Sequence, residues 1–385
     1  MKRMLMMATT AAMIEQFNKN NILILEEMGY EVHVAGNFKE GNPISVERLE
    51  QFKEWLTQHN GKWFHIPSTR KPTDINNVKA YKQIINLIKE YKYEFIHCHT
   101  PIGSVIARCA AHKTNTPIIY TAHGFHFFKG APLKNWLIYY PVEKFLSRWT
   151  DVLILINKED YERAKNRFHA KRTYYIPGVG IDINKYSDLK DKEKINKKRI
   201  ELGLKENDFV ILSVGELIPR KNHEVVINAI DYLNKKKQAD HIIYLICGKG
   251  ELYSTLSEKI RKENIEDKVF LLGYRTDISE LCKCSDLFVF MSIQEGLPVA
   301  LMEAMATGVP VIASKIRGNT DLIENKKSGI LIKNTIVDVA NTIKLMANDY
   351  ELRKYISKNS IERIKQFSIE NVMTKMKEIY IEIED

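Results

Sequence analysis

Short apolar runs alternate with amphipathic stretches along the whole chain. In the first half the runs are RMLMMA, YEVHVAG, KWFHIP, FIHCHT, PIIYTAHG, DVLILIN and TYYIPG. In the second half they are FVILSVG, IIYLICG, VFLLG, LFVFMS, VPVIAS and GILI. Strands that are apolar at nearly every position are covered on both faces, and the helical stretches between them supply the cover. This is the pattern of parallel sheets, so the fold class predicted is α/β with enough elements for two doubly wound units. The pattern breaks at IPGVGIDINKY, where Pro and Gly interrupt it and a Lys-rich segment follows. A hinge is placed near Gly178–Asp188, between a first domain over residues 1–180 and a second over 187–366. The last stretch, 367–385, carries Ile369, Val372, Met373, Met376 and Ile379 at helical spacing. It is expected to pack back on the first domain.

The N-terminal MKRMLMMATTAAMIEQ places two basic residues before an apolar stretch, as a secretory leader would. Two threonines interrupt it, however, and it runs without a cleavage site into a helical pattern of Ile14, Phe17, Ile22, Leu25 and Met28. It therefore reads as a buried strand over Arg3–Ala8, a turn at Thr9–Thr10 and a helix. No apolar run nears the roughly 20 residues of a membrane span.

In open parallel sheets the ligand lies beyond the carboxyl ends of the strands. That rule selects the residues after each run. They are Thr9, Thr10, His99, His123 and Asn157 in the first half. In the second half they are Gly215, Gly248–Gly250, Gly273–Arg275 and Ser292–Gly296. Two facing domains with such edges would form one cleft.

Charge narrows the partners. The chain has 385 residues, 58 Lys and Arg against 48 Asp and Glu, and a net charge of +10. A nucleic acid, an anionic membrane surface, or Lys spread through mixed-charge helices such as KDKEKINKKRIELGLKEND could account for that sign. No basic recognition helix or RNA-binding aromatic signature is present, so no nucleic-acid partner is expected. Five cysteines without metal-site or CxxC spacing suit a reduced, cytoplasmic setting.

Four stretches carry chemistry. In SVGELIPRKNHEVVINAI, Arg220 and Lys221 follow a strand that ends at Gly215, and Asn222 is placed to cap the next helix. Two cations at a helix entrance seat a phosphate or diphosphate, although a surface basic pair has the same pattern. In MSIQEGLPVALMEAMATGVPVIAS, Pro298 suits the first turn of a helix whose free N–H groups would face a ligand. Gly296 permits close approach there. Glu295 and Glu303 flank that entrance; eight helical positions would separate them by about 12 Å. Carboxylate pairs that hydrolyse glycosides lie about 5–9.5 Å apart. The two glutamates therefore suit separate grips on one elongated ligand better than an acid/base pair, or they are a loop charge and a solvated helix charge. Gly-Lys-Gly at 248–250 is a tight turn by itself. Tyr274 and Arg275 could line a nucleobase slot or be turn residues, and His123 could be structural or functional.

Taken together, VGELIPRKNH, the segment from LLGYRTDISELCKC through EGLPVALMEAMATGVPVIAS, and IYTAHGFHF resemble glycosyltransferase family 4. The likeness covers most of the chain and is strongest over Ser213–Ile332. HCHTPIG and the segment after His123 are similar to bacterial capsular and exopolysaccharide members. The resemblance implies the GT-B fold, two Rossmann-like doubly wound parallel-sheet domains facing across a cleft. It also implies retaining transfer from a nucleoside-diphosphate sugar, UDP by family habit.

By the same resemblance Glu303 holds the ribose and Glu295 the donor sugar. Arg220 and Lys221 hold the diphosphate, aided by backbone groups at Gly296, Leu297, Pro298 and Val299. Gly215, Gly250, Tyr274 and Arg275 complete the donor side. His123 lies near the reacting carbon, and Thr9, Thr10, His99 and Asn157 are acceptor-side candidates. The chain departs from the family where it has Thr9-Thr10-Ala11-Ala12 in place of a Gly-Gly pair and Gly215-Glu216 in place of Gly-Arg. The cationic work then rests on Arg220 and Lys221. No Asp-x-Asp occurs, so no metal and no cofactor are expected, and the departing phosphate is expected to assist deprotonation of the acceptor. A nucleotide-sugar epimerase or an inactive nucleotide-sugar-binding module on the same fold are the alternatives.

The segment His126–Trp149 is rich in aromatics and carries Lys129, Lys134, Lys144 and Arg148 against the single acid Glu143. With Trp136 it suits the interface of an anionic bilayer. That would bring the protein to the inner membrane face and a polyprenyl-diphosphate-linked saccharide acceptor. A core-packing helix with ordinary surface lysines is the competing reading.

Overall fold

The computed structural model describes residues 2–187 and 192–384. The hinge placed by sequence ends at Asp188, so its last residue lies outside the described residues. Two compact units are present: Met1–Gly180 with Ile369–Asp385, and Ile181–Ser368.

The first unit is built on a seven-stranded parallel sheet in the order β3-β2-β1-β4-β5-β6-β7. In chain order the strands are β1 (Lys2–Thr10), β2 (Tyr30–Asn37), β3 (Lys62–His65), β4 (Phe95–His99), β5 (Ile118–Ala122), β6 (Val152–Leu155) and β7 (Arg172–Tyr175). β1 is central. Met4 to Ala8 are fully buried, with Met4 and Met6 on one face of the sheet and Leu5 and Met7 on the other. Each of these four large side chains contributes about 1.5–3 kcal/mol of burial. That is why the apolar N-terminus is a core strand. The strand continues through Thr9 and Thr10, where the sequence suggested a turn. The single helix expected after it is two, Ala11–Phe17 and Lys19–Glu27, separated at Asn18.

The C-terminal helix Ile369–Glu384 belongs to the first unit. It buries Val372, Met376, Ile379 and Tyr380 in that core. The Tyr380 hydroxyl pairs with Nδ1 of the fully buried His97 at 2.8 Å.

The second unit has a six-stranded parallel sheet in the order β10-β9-β8-β11-β12-β13. Its strands are β8 (Phe209–Val214), β9 (Ile242–Cys247), β10 (Val269–Gly273), β11 (Leu287–Phe290), β12 (Val311–Ser314) and β13 (Ile330–Ile332). In both sheets the strand order reverses once, between β1 and β4 and between β8 and β11. A crevice for ligand opens at such a switch point.

Candidate active site

The switch point of the second unit gathers the loops after β8 and β11. The first carries Arg220 and Lys221 in a single 3-10 turn, Pro219–Lys221. The second carries Glu295. Backbone links hold them together: Ile293 N–H donates to Arg220 O at 2.8 Å, and Arg220 Nη1 donates to Gln294 O at 2.9 Å. Both cations converge on one carboxylate oxygen. Arg220 Nη1 lies 3.0 Å and Lys221 Nζ 2.7 Å from Glu295 Oε1. Glu295 is 9% exposed, and a carboxylate buried to that degree requires the pairing that the two cations supply.

Glycines let these loops come close. A Cβ on Gly248 would stand 1.9 Å from Gly215 O, and one on Gly250 would stand 2.4 Å from Leu217 O. Gly-Lys-Gly is therefore the bed on which the Gly215–Leu217 loop lies. Gly215 in turn leaves room for the alkyl chain of Lys221, 3.3 Å from where its Cβ would be.

Val299–Thr307 forms the helix, with Pro298 at its N-cap. Glu295 to Pro298 are not helical, so the 12 Å separation assumed eight helical steps that the structure does not have. What separates the two glutamates chemically is their partners. Glu303 is half-buried and accepts from the Tyr186 hydroxyl at 2.9 Å. Burial raises its carboxyl above the ordinary value, partly offset by Tyr186. Asn222 precedes the helix His223–Lys235, but it adopts left-handed backbone and its side chain caps nothing. Tyr274 is exposed at the end of β10. Arg275 is engaged with its neighbour Asp277 through Nε at 2.8 Å, and that pairing holds the Asp277 carboxyl well below its usual range.

Three residues escaped sequence reading. Tyr186 follows no periodic pattern. Arg317 is buried and donates from Nε to Glu295 O at 3.1 Å, supporting the loop from below. Gly318 passes so near Gly296 that a Cβ would stand 2.5 Å from its carbonyl; the Arg-Gly pair after β12 was the available signal.

In the first unit the switch point lies between Thr9–Thr10 and His99–Thr100. Thr100 has φ +66°, a strained conformation for a β-branched residue. Its Oγ1 accepts from Thr9 N–H at 2.9 Å and pairs with Thr9 Oγ1 at 2.7 Å. A cavity of about 360 Å³ opens there, lined by Thr9, Thr10, Thr100, Ile102, Arg70 and Tyr139 among others.

His123 directly follows β5, half-buried, with Nε2 3.2 Å from His99 Nδ1. Burial lowers its pKa to about 4, so the imidazole is neutral at pH 7. His99 is fully buried; its Nδ1 pairs with His123, its Nε2 has no hydrogen-bond partner, and both histidines line one small pocket of the first unit. Asn157 is also fully buried. It caps the helix Lys158–Arg167, accepting from Asp160 N–H at 2.9 Å and donating to Asp160 Oδ2 at 2.8 Å. That uses both of its polar atoms within the fold, so it is a cap and not an acceptor contact. Among the described residues no group of three or more His, Cys, Asp or Glu side chains is placed to hold a metal ion.

The aromatic-basic segment forms the helix Leu133–Leu146 and the turn Ser147–Trp149. Trp136 is turned inward. It packs on Phe127 and Tyr140, with Arg163 over its ring at 5.0 Å. The sequence expectation that it contacts a bilayer is corrected: the exposed face is Leu133, Leu137, Ile138, Val142 and Phe145. Lys129, Lys134 and Arg148 are exposed beside it, and Lys144 is partly so. The acid of the segment, Glu143, is buried on the opposite side and paired with Arg108 at 2.8 Å. No helix among the described residues is long and apolar enough to cross a membrane.

Residues 194–363 match the family model for glycosyl transferases group 1, and residues 9–157 match that for glycosyl transferase 4-like domains. The chain is 35% identical to the glycosyltransferase EpsD of Bacillus subtilis, over 98% of this chain and 96% of the relative. It is 31% identical to the UDP-Gal:alpha-D-GlcNAc-diphosphoundecaprenol alpha-1,3-galactosyltransferase of Escherichia coli, over 83% and 84%. Among solved structures, Anabaena HepE in complex with UDP and glucose superposes with a TM-score of 0.79 at 21% identity, over 99% of this chain and 100% of that one. WaaG, a glycosyltransferase involved in lipopolysaccharide biosynthesis, gives 0.73 at 16% identity, over 98% and 99%. The chain belongs to glycosyltransferase family 4 and has the GT-B fold.

Proposed function

We propose that this glycosyltransferase moves a sugar, with retention of configuration, from a UDP-sugar to a lipid-linked saccharide in exopolysaccharide or capsule synthesis. The observation that carries the reading is the convergence of Arg220 and Lys221 on Glu295 at the switch point of the second unit. A diphosphate brings about two negative charges and competes with Glu295 for the same two cations. When the diphosphate takes them, Glu295 is released to accept hydrogen bonds from the sugar. The charge that develops on the leaving diphosphate is stabilised by preorganised cations, which need no reorganisation at the moment of bond breaking. Gly296, Leu297, Pro298 and Val299 approach the same anion, Glu303 takes the ribose, and His123 is assigned to the sugar. Gly215, Gly250, Tyr274 and Arg275 remain donor-side assignments. Glu295 is assigned to the sugar's hydroxyls and not to attack on its anomeric carbon, and the reaction is read as front-face substitution with the leaving phosphate accepting the acceptor's proton.

The acceptor reading draws support from the Escherichia coli relative, whose name specifies a diphosphoundecaprenol-linked acceptor. Thr9 and Thr10 line the first unit's cavity and are assigned to the acceptor. The face of the helix Leu133–Leu146 is assigned to the cytoplasmic surface of an anionic membrane. The test is transfer from a panel of UDP- and other nucleotide-linked sugars to a diphosphoprenyl-linked N-acetylhexosamine, with the anomeric configuration of the product read by NMR. An α-linked product from an α-linked UDP-sugar is expected. An inverted product, or turnover of the nucleotide sugar to its epimer without acceptor, would overturn the reading.

A further inference from the structure

A second apolar depression of the first unit, about 570 Å³, lies between the helices Asn76–Tyr91 and Pro101–Thr114. Ile75, Val78, Val105, Ile106, Cys109 and Trp149 line it, and Ile75 and Val78 are 67% and 48% exposed. Soluble surfaces seldom leave such apolar side chains together and uncovered. Three placements say what covers them. First, Pro72 lines both this groove and the cavity at Thr9, Thr10 and Arg70. Second, Ile102, which faces that cavity, begins a stripe with Val105, Ile106 and Cys109 at i, i+3, i+4 and i+7. These lie along one side of their helix for about 10 Å. Third, Trp149 at the groove contacts Phe145 at 4.9 Å between ring centroids, and Phe145 belongs to the exposed face of the helix Leu133–Leu146. The groove thus joins the cavity on one side and that apolar face on the other.

Charge agrees with this path. Arg70 and Lys71 are exposed at the cavity end. The acid that borders the groove, Asp74, is held in its own turn, accepting from Asn76 N–H at 2.9 Å and Thr69 Oγ1 at 3.1 Å. A hydrocarbon chain with an anionic head fits: head towards Arg70, tail through the groove.

We propose that this groove binds the polyisoprenoid chain of the acceptor, with its phosphate at the Arg70 end. This rests on the lipid-linked reading of the acceptor and names the site of the tail.

Cys109 provides the test, because it is half-buried in the groove while Cys98, Cys247, Cys282 and Cys284 are buried. The full chain in nonionic detergent is treated with N-ethylmaleimide, and Cys109 modification is followed by peptide mass. The probes are a C55 polyprenyl phosphate, geranyl phosphate, and a dipalmitoyl phosphatidate. The C55 probe should slow modification about tenfold at about ten times its Kd, since protection follows 1 + [L]/Kd. The other two should protect far less, and Val78→Asp should abolish protection without lowering the melting temperature. Val78→Asp should also raise KM for a C55-linked acceptor while leaving a water-soluble short-chain acceptor unaffected. Equal protection by phosphatidate would make the groove a general lipid contact and overturn the isoprenoid assignment. Absence of C55 protection in protein that still glycosylates a C55-linked acceptor would overturn the groove and leave the function standing. Absence of both protection and transfer would overturn the groove together with the lipid-linked reading.

Discussion

Tyr186→Phe removes one oxygen atom and leaves the ring packed. The hydroxyl donates to Glu303 Oε1 at 2.9 Å, and Tyr186 is 7% exposed. A hydrogen bond to a charged group is worth about 1.5–3 kcal/mol net. Glu303 is only half-buried, so water can replace part of it, and the lower end of about 1.5 kcal/mol is expected. No cavity term is added because the substitution changes no apolar volume. The assay is urea denaturation followed by far-UV circular dichroism, reading the transition of the second unit. The pH dependence gives a second signature. Burial holds the folded Glu303 pKa above its unfolded value, so the folded state binds more protons between the two, and stability falls as pH rises through that window. Removing Tyr186, which lowers that pKa, should widen the window and steepen the fall. A stability within about 0.5 kcal/mol of the parent, the usual range for an inconsequential surface change, with an unaltered pH profile would refute the reasoning.

Three further outcomes are expected. Glu295→Gln should keep the fold and lower kcat by roughly 10²–10³, the scale for losing one preorganised transition-state contact, measured by UDP release under saturating donor. Burial holds His97 and His123 down to about 3 and about 4, so the unfolded chain takes up protons first as pH falls below the ordinary histidine value. Stability of the first unit should therefore drop from about pH 6.5 towards pH 4, and His97→Gln should flatten that slope in thermal melts if it folds. Leu137→Asp with Ile138→Asp should abolish co-sedimentation with phosphatidylglycerol vesicles, whereas Trp136→Ala should lower the melting temperature; retained binding by the double variant would remove the membrane assignment.

The strands were legible because burial on both faces writes a continuous apolar run, as MLMM in β1 and FVILSV in β8 show. The Arg220–Lys221 pair and Glu295 were legible because each stands directly after such a run, where a parallel sheet opens. Their mutual pairing was not, since it arises from loops after β8 and β11, with Lys221 and Glu295 74 positions apart, that meet only through strand order. The helix Leu133–Leu146 misled because both its faces are apolar; composition marked Trp136, while packing against Phe127 and Tyr140 decides which side is inside. Asn157 occupies a strand-end position like those of the ligand groups, but a helix cap consumes its polar atoms. The Gly-Lys-Gly turn needed the third dimension, since what demands glycine there is the carbonyl of Gly215. Tyr186 had no signal because its partner is 117 positions away.

The central claim is that Arg220 and Lys221 exchange Glu295 for the diphosphate of the donor. Calorimetric titration of UDP and of uridine into the parent chain and into Lys221→Met tests it most directly. The account predicts that UDP binding weakens by roughly one to two decades, the loss expected for a charge-assisted contact of about 1.5–3 kcal/mol, while uridine binding is unchanged. Equal losses for UDP and uridine, or none for either, would contradict it.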